Sequence, residues 1–227
     1  MIKYLLLTVI YTISSCAYAL GMQPETTVLV INEEDGEASI SVKNTDNVPS
    51  LLQTKIIDID NSSSKEVVIL ASPTIVKVES GEEQIIRFFL QKKGGIKDQV
   101  LKRVKFLGLP ARMEKNAEIS SVNISVSQSI PLIINPKGLE SVAEPWKFLK
   151  YTFENGKVYI FNPSRYVVRM YPYAKLDGNK VNLQHPFIAP RQKIEVDYKS
   201  RPKVMKIKPV GLYGEVRNEY EIYESKS

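Results

Sequence analysis

The sequence predicts an all-β protein made of two β-sandwich domains, and three observations lead to this fold class. Helical patterning, with apolar residues three and four positions apart, is almost absent. Short apolar, β-branched and aromatic runs recur instead, separated by turn residues about every eight to twelve positions. Residues 136–147, PKGLESVAEPWK, interrupt this pattern with two prolines, a glycine and several charges. We therefore predict a linker there, which divides the chain into a first domain, residues 20–138, and a second domain, residues 139–227.

Residues 1–19 form a separate segment that has the composition of a secretory signal peptide. Lys3 precedes an apolar stretch that is too short for a membrane span of about twenty residues. Ala17-Tyr18-Ala19 is an A-x-A cleavage signal, so we expect export and cleavage after Ala19. The alternative is a lipoprotein box, in which cleavage before Cys16 would leave a lipid-anchored protein. Cys16 is the one cysteine of the chain, so cleavage after Ala19 leaves none and the core alone must stabilise the fold.

The strands of the first domain are predicted from alternating apolar and polar residues between turn residues. They cover residues 26–32, 38–44, 50–60, 73–91 and 99–110, where the fourth segment is divided into two strands by a turn at Ser80-Gly81.

Residues 119–138, ISSVNISVSQSIPLIINPKG, predict one more strand, which is unusually long. Its apolar residues keep a period of two, which a helix cannot use, and they are Val122, Ile124, Val126, Ile130, Leu132 and Ile134. A strand usually has about five or six residues. No charged residue occurs between Ser120 and Pro136, so a soluble protein must provide this strand with a partner.

The second domain resumes the strand pattern. Residues 150–162, KYTFENGKVYIFN, predict a hairpin around Asn155-Gly156, which is a strong turn signal. Four aromatic residues alternate along this hairpin and are predicted to form cross-strand core pairs: Tyr151, Phe153, Tyr159 and Phe161. Further strand-like runs follow within residues 165–176, 193–199, 203–210 and 215–224.

The residues offer no support for an enzyme. His185 is the one histidine and lies in the loop-like run QHPF, and no second histidine or mature cysteine is present to complete a zinc site. We also place no Ser-His-Asp triad. No phosphate-binding glycine motif occurs, and we predict no cofactor and no metal. The formal charge of +6, which becomes +5 when Lys3 is removed with the leader, is scattered among acidic residues and predicts no nucleic-acid partner.

Three segments, in this order, carry a resemblance to a known family: ASPTIVKVESGEEQIIRFF, VKFLGLP and SIPLIINPKGL. The first contains the spacing P-x-x-V-x-V-x-x-G-x-x-x-x-I-R. With the leader and the two domains, they resemble periplasmic chaperones of the chaperone–usher pilus pathway, the PapD-like family. This resemblance implies two immunoglobulin-like domains set at an angle with a cleft between them.

Members of that family bind pilus subunits in the periplasm by donor-strand complementation and deliver them to an outer-membrane usher. The resemblance implies that this chain does the same, is not an enzyme and does not span the membrane. The last strand of the first domain would lend alternate side chains to a subunit that lacks a strand. We assign the donor strand to Val122, Ile124 and Val126. Ile130 and Leu132 either extend the donated row or pack in the core of the chain's own first domain.

The family also anchors the carboxylate at the subunit's C terminus with two basic residues in the cleft. The best-known branch uses an arginine in the first strand and a lysine in the last one, but this chain has Thr26 or Thr27 and Pro131 there. The sequence is more similar to the alternate or archaic branch, which implies Arg103 and Lys137 as the anchor. For Lys137, a solvated linker lysine is an equally good interpretation.

Two other functions are compatible with a secreted β protein. A secreted structural or adhesive pilus component without chaperone activity would have one domain, usually with a disulfide, and an alternating N-terminal donor segment. A secreted enzyme or sugar-binding sandwich would need clustered acids, aromatics or metal ligands in its loops. Neither pattern occurs in this sequence.

Overall fold

The computed structural model describes residues 21–59, 67–92, 94–110 and 126–225, which form seventeen strands and a 3-10 turn at Pro145–Phe148. The predicted signal peptide, residues 1–19, lies outside the described residues. The strands of the first domain are β1 (Met22–Pro24), β2 (Leu29–Asn32), β3 (Glu37–Asn44), β4 (Ser50–Asp58), β5 (Val67–Ser72), β6 (Ile75–Val78), β7 (Glu83–Lys92), β8 (Val100–Pro110) and β9 (Ser127–Asn135). The all-β fold class is confirmed.

The first domain is a sandwich of two sheets, ordered β1-β3-β7-β5 and β2-β9-β8-β4-β6. Neighbouring strands are antiparallel except β2 and β9, which run parallel. Alternate side chains of each strand point inward, as a period of two requires. The fully buried Phe88 of β7 and Phe106 of β8 therefore meet in one apolar core between the sheets.

The strands of the second domain are β10 (Lys150–Glu154), β11 (Lys157–Phe161), β12 (Val168–Leu176), β13 (Asn179–Asn182), β14 (Phe187–Ile188), β15 (Lys193–Val196), β16 (Met205–Val210) and β17 (Tyr220–Glu224). They form one curled sheet ordered β13-β12-β16-β17-β10-β11-β15, with β14 beside β12. β17 joins the two layers because it pairs antiparallel with β16 and parallel with β10. A second apolar core, which contains Trp146, lies inside this curl.

The predicted hairpin at Asn155-Gly156 is confirmed. Both turn residues have positive φ angles, 52° and 75°, which glycine and asparagine accept more easily than other residues. The two-residue turn pairs Glu154 with Lys157. This register makes the predicted aromatic core pairs wrong, because Tyr151 faces Ile160, and Tyr159 faces Thr152 on the other side of the sheet.

The two domains pack directly on each other. Val28, Leu101 and Ile133 of the first domain form a small buried cluster with Val167 and Phe187 of the second. Beside this cluster, the Asp98 carboxylate pairs with two second-domain guanidiniums, at 3.4 Å from Arg165 Nε and 3.6 Å from Arg191 Nε.

Gln99 adds hydrogen bonds at the same interface. Its backbone N–H donates to the carbonyl of Arg165 at 2.9 Å, and its Oε1 accepts from the N–H of Val167 at 2.7 Å. Its Nε2 donates to Oδ1 of Asn135, at the end of β9, at 2.7 Å. One side chain thus ties the last strand of the first domain to the second domain.

Candidate functional site

β9 is paired along nearly all of one edge and part of the other. β8 pairs with one edge from Ser127 to Ile134, and β2 pairs with the opposite edge from Leu132 to Asn135. In the part of the chain that the structure describes, no strand pairs with that second edge between Ser127 and Pro131. Because an unpaired edge presents backbone hydrogen-bonding groups, a strand from another protein can add there.

The predicted donor side chains differ in burial. Val122 and Ile124 lie outside the described residues. Val126 is 42% exposed, at the start of the unpaired edge, and its carbonyl accepts a hydrogen bond from Gly108 at 3.2 Å. Ile130 and Leu132 are buried in the first domain's own core. In the unbound chain, therefore, Val126 is the one described member of the row that is open to a partner.

The unpaired edge of β9 runs into a cleft of about 590 Å³ between the domains. The first domain contributes Thr26 and Thr27 before β2, Arg103 of β8 and residues 128–131 of β9 to its lining. The second domain contributes residues of β12, of the loop before β14 and of the loop after β16. A chain that follows the free edge would enter this cleft.

Arg103 is held in the cleft by β9. Its Nε donates to Oγ of Ser129 at 2.9 Å, and its Nη2 donates to the Ser129 carbonyl at 2.6 Å. Burial lowers the pKa of the guanidinium below its ordinary value, but an arginine remains charged. The predicted anchor residue is therefore fixed, charged and directed into the cleft.

Arg169 of β12, which the sequence did not single out, lines the same cleft. Its Nη1 donates to the carbonyls of Leu212 at 2.6 Å and Gly211 at 3.4 Å. Burial and then the nearby charge of Arg103 lower the pKa of Arg169. In the run VVRMYPYAK, alternation puts Arg169 on the face opposite Val168 and Met170, but no local signal in the sequence brings that face to Arg103.

Lys137 lies elsewhere. It lines a second depression beside the linker, with Glu33, Glu34 and Trp146, and not the cleft that contains Arg103. Its side chain is 74% exposed, its Nζ lies 4.0 Å from Oε1 of Glu34, and its backbone N–H donates to Glu33 at 2.7 Å. The structure does not bring Arg103 and Lys137 into one cavity, so their joint role stays a prediction.

The candidate metal ligands do not come together in the described part of the chain. His185, the one histidine, stacks on Phe187 with ring centroids 5.3 Å apart. Within the described residues, no group of three or more His, Cys, Asp or Glu side chains is placed to hold a metal ion. None of the helical segments described is long and apolar enough to cross a membrane.

Comparison with known proteins identifies the first domain. Residues 21–140 match the family described as pili and flagellar-assembly chaperones, PapD N-terminal domain. The uncharacterized fimbrial chaperone YhcA of Escherichia coli strain K12 is 41% identical over 170 residues, which are 75% of this chain and 74% of that protein.

Solved structures of similar fold cover both domains. The E. coli chaperone DraB is 18% identical with a TM-score of 0.70, and the match covers 91% of this chain and 97% of DraB. The CupB2 chaperone of Pseudomonas aeruginosa is 21% identical with a TM-score of 0.69, and the match covers 89% of this chain and all (100%) of CupB2. A chain of the Salmonella enterica SafA pilin–SafB chaperone complex has a TM-score of 0.71 at 17% identity, and the match covers 91% of this chain and 97% of that one. The family match and the identity to YhcA show that this chain belongs to the PapD-like family of pilus and flagellar-assembly chaperones.

Proposed function

We propose that this chaperone acts in the periplasm, binds fimbrial subunits by donor-strand complementation and delivers them to an outer-membrane usher. The observation that carries this proposal is the half-paired edge of β9, which begins beside the exposed Val126. The alternating residues Val122 and Ile124 precede it in the sequence. An apolar row next to an open edge is what a groove in an incomplete sandwich requires.

The donated part of the row is proposed to be Val122, Ile124 and Val126. Each fully buried Val or Ile side chain contributes roughly 1.5–3 kcal/mol before the cost of ordering the partners. Ile130 and Leu132 already belong to the chaperone's own core, so they hold β9 in the first domain and are not donated.

Arg103 is proposed to bind the carboxylate at the subunit's C terminus, because it is charged and braced by Ser129 at the inner end of the open edge. Lys137 is retained as a second candidate anchor, and its exposed ammonium beside Glu34 would have to move to reach the cleft. Assignment to the alternate or archaic branch is likewise our interpretation, and it rests on the run SIPLIINPKGL, residues 129–139, which resembles that branch's pattern.

Coexpression tests the donor strand. Candidate fimbrial subunits from the same genome are coexpressed with the chain, and a one-to-one periplasmic complex is purified. Replacing Val122, Ile124 and Val126 by Asp should lower the yield of complex by roughly ten-fold or more, because a carboxylate cannot enter an apolar groove without a large desolvation cost. The matched control is Val68→Asp, since Val68 is 47% exposed on β5 of the other sheet.

A normal yield from the triple variant, with both variants folded, would refute the donor assignment. The rival function, a structural or adhesive pilus component, would place this chain in the assembled fibre instead of in a periplasmic complex. Mass spectrometry of the mature N terminus decides between cleavage after Ala19 and cleavage before Cys16.

A further inference from the structure

The interdomain cleft contains two guanidiniums and no carboxylate bound to either. Arg103 comes from the first domain and Arg169 from the second, and both line the same cavity. Among the ion pairs of the described residues, none involves Arg103 or Arg169. Glu215, whose charge acts on Arg169, instead pairs with Arg217 at 3.8 Å and accepts from the N–H of Tyr213 at 3.1 Å.

Two like charges in a partly buried cleft repel each other, and the repulsion is stronger than it would be in water. Burial and then the charge of Arg103 lower the pKa of Arg169, and the opposite charge of Glu215 only partly offsets this. An anion between the two guanidiniums would remove this repulsion and gain two charge-assisted contacts.

The neutral contacts of both arginines leave donors free. Arg103 uses Nε and Nη2 on Ser129, so its Nη1 has no partner among the described residues. Arg169 uses Nη1 on the carbonyls of Gly211 and Leu212, so its Nε and Nη2 have none. These backbone and serine contacts hold the two guanidinium groups in place. A carboxylate has two oxygens, which is one acceptor for each guanidinium.

We infer that Arg169 is the second arm of the carboxylate site, so that one guanidinium from each domain holds the C-terminal carboxylate of a bound subunit. This inference rests on the proposed function, and it adds a residue of the second domain to the binding machinery. It follows that capture depends on the relative position of the two domains, which the cluster at Val28 and Phe187 and the bonds of Gln99 maintain.

The test uses the mature full-length chain and two probes: the dipeptide N-acetyl-Ala-Ala with a free carboxylate, and its C-terminal amide. Nε–Hε resonances of the arginines are followed by NMR during titration and are assigned with the variants Arg103→Lys and Arg169→Lys. We expect the acid, but not the amide, to shift the resonances of both Arg103 and Arg169. Arg169→Gln should raise the Kd of the acid at Arg103 by roughly ten-fold, as expected for the loss of one charge-assisted contact, and Arg169→Lys should raise it less.

Arg201→Gln is the matched control, because Arg201 is 65% exposed and pairs with Glu224 away from the cleft. It should leave the Kd unchanged. If the acid shifts Arg103 alone, and Arg169→Gln leaves the Kd unchanged, Arg169 is not an arm of the site while the proposed anchor at Arg103 survives. If the acid and the amide shift both arginines equally, or neither, the carboxylate site itself is refuted. A purely structural role for Arg169 in holding residues 211–212 would change acid and amide binding alike.

Discussion

Truncations at Ile130 and Val126 should have opposite consequences, although both side chains belong to the same alternating row. Ile130 is 7% exposed and packs in the core of the first domain. Removing most of such a side chain typically costs about 2–5 kcal/mol. We expect Ile130→Ala to lower the free energy of unfolding by roughly 3 kcal/mol and to leave the affinity of the remaining folded protein for a subunit almost unchanged.

Val126→Ala should do the reverse. The side chain is 42% exposed, so its truncation should change the free energy of unfolding by less than about 1 kcal/mol. If a subunit buries the exposed part, the loss is about 0.5–1 kcal/mol of binding free energy, which is a two- to five-fold higher Kd.

Urea unfolding followed by far-ultraviolet circular dichroism measures the stability of both variants, and titration with a purified subunit measures affinity. Fluorescence of Trp146, the one tryptophan, reports the second domain separately because this residue is buried in that domain's core. A stable Ile130→Ala variant with weakened binding would show that Ile130 is donated and would refute the division of the row proposed above.

Three further predictions concern the interface, acid stability and the hairpin. Gln99→Ala should lower the free energy of unfolding by about 1–3 kcal/mol, because it leaves the buried N–H of Val167 without its acceptor; thermal unfolding measures this, and an unchanged melting temperature would contradict it. Burial would raise the pKa of Glu33, but hydrogen bonds from Lys92 and from backbone N–H groups outweigh this and hold the pKa below 4.5. The stability that Glu33→Gln removes should therefore be fully present above pH 4.5 and should vanish as the pH falls through the lowered pKa. If wild type and variant still differ by the same free energy of unfolding in acid, the ionised Glu33 carboxylate is not the source of that stability. Gly156→Ala should destabilise by roughly 1 kcal/mol because of the positive φ, and a neutral effect in urea unfolding would argue against the turn geometry.

Alternation predicted most strands of the first domain because one face of each strand is buried and the other is exposed to solvent. β5, Val67–Ser72, was missed for the same reason. Its outward side chains Val68 and Leu70 are apolar although they are 47% and 46% exposed, so the run VVIL shows no alternation. Periodicity detects a difference between two faces, and here the composition of the two faces is the same.

The hairpin shows a different limit. Its turn was predictable from Asn155-Gly156, but the partners across it depend on the exact number of loop residues. A two-residue turn pairs each odd-numbered residue with an even-numbered one, so Tyr151 and Tyr159 must point to opposite faces. Alternating aromatic residues on both strands therefore do not imply aromatic pairs.

The cleft could be predicted only in part. Arg103 was inferred from the resemblance of its strand to a known family, and the structure places it in the cleft. Arg169 could not be assigned, because its position beside Arg103 depends on how two separately folded domains meet. Lys137 is near the linker in sequence, yet the turn of the chain at Pro136 directs it to Glu33 and Glu34.

The parallel pairing of β2 with β9 also limits the length of any guest segment. β2 occupies the shared edge from Leu132 onward, so a strand added before that point must stop where residues 26–28 approach β9. A guest running in the direction of β2 would lie end to end with it, and its last residue would come to rest between Thr27 and Arg103. If such a guest binds, the start of β2 would fix the position of its last residue, and that position would determine which guest side chains lie opposite each residue of β9.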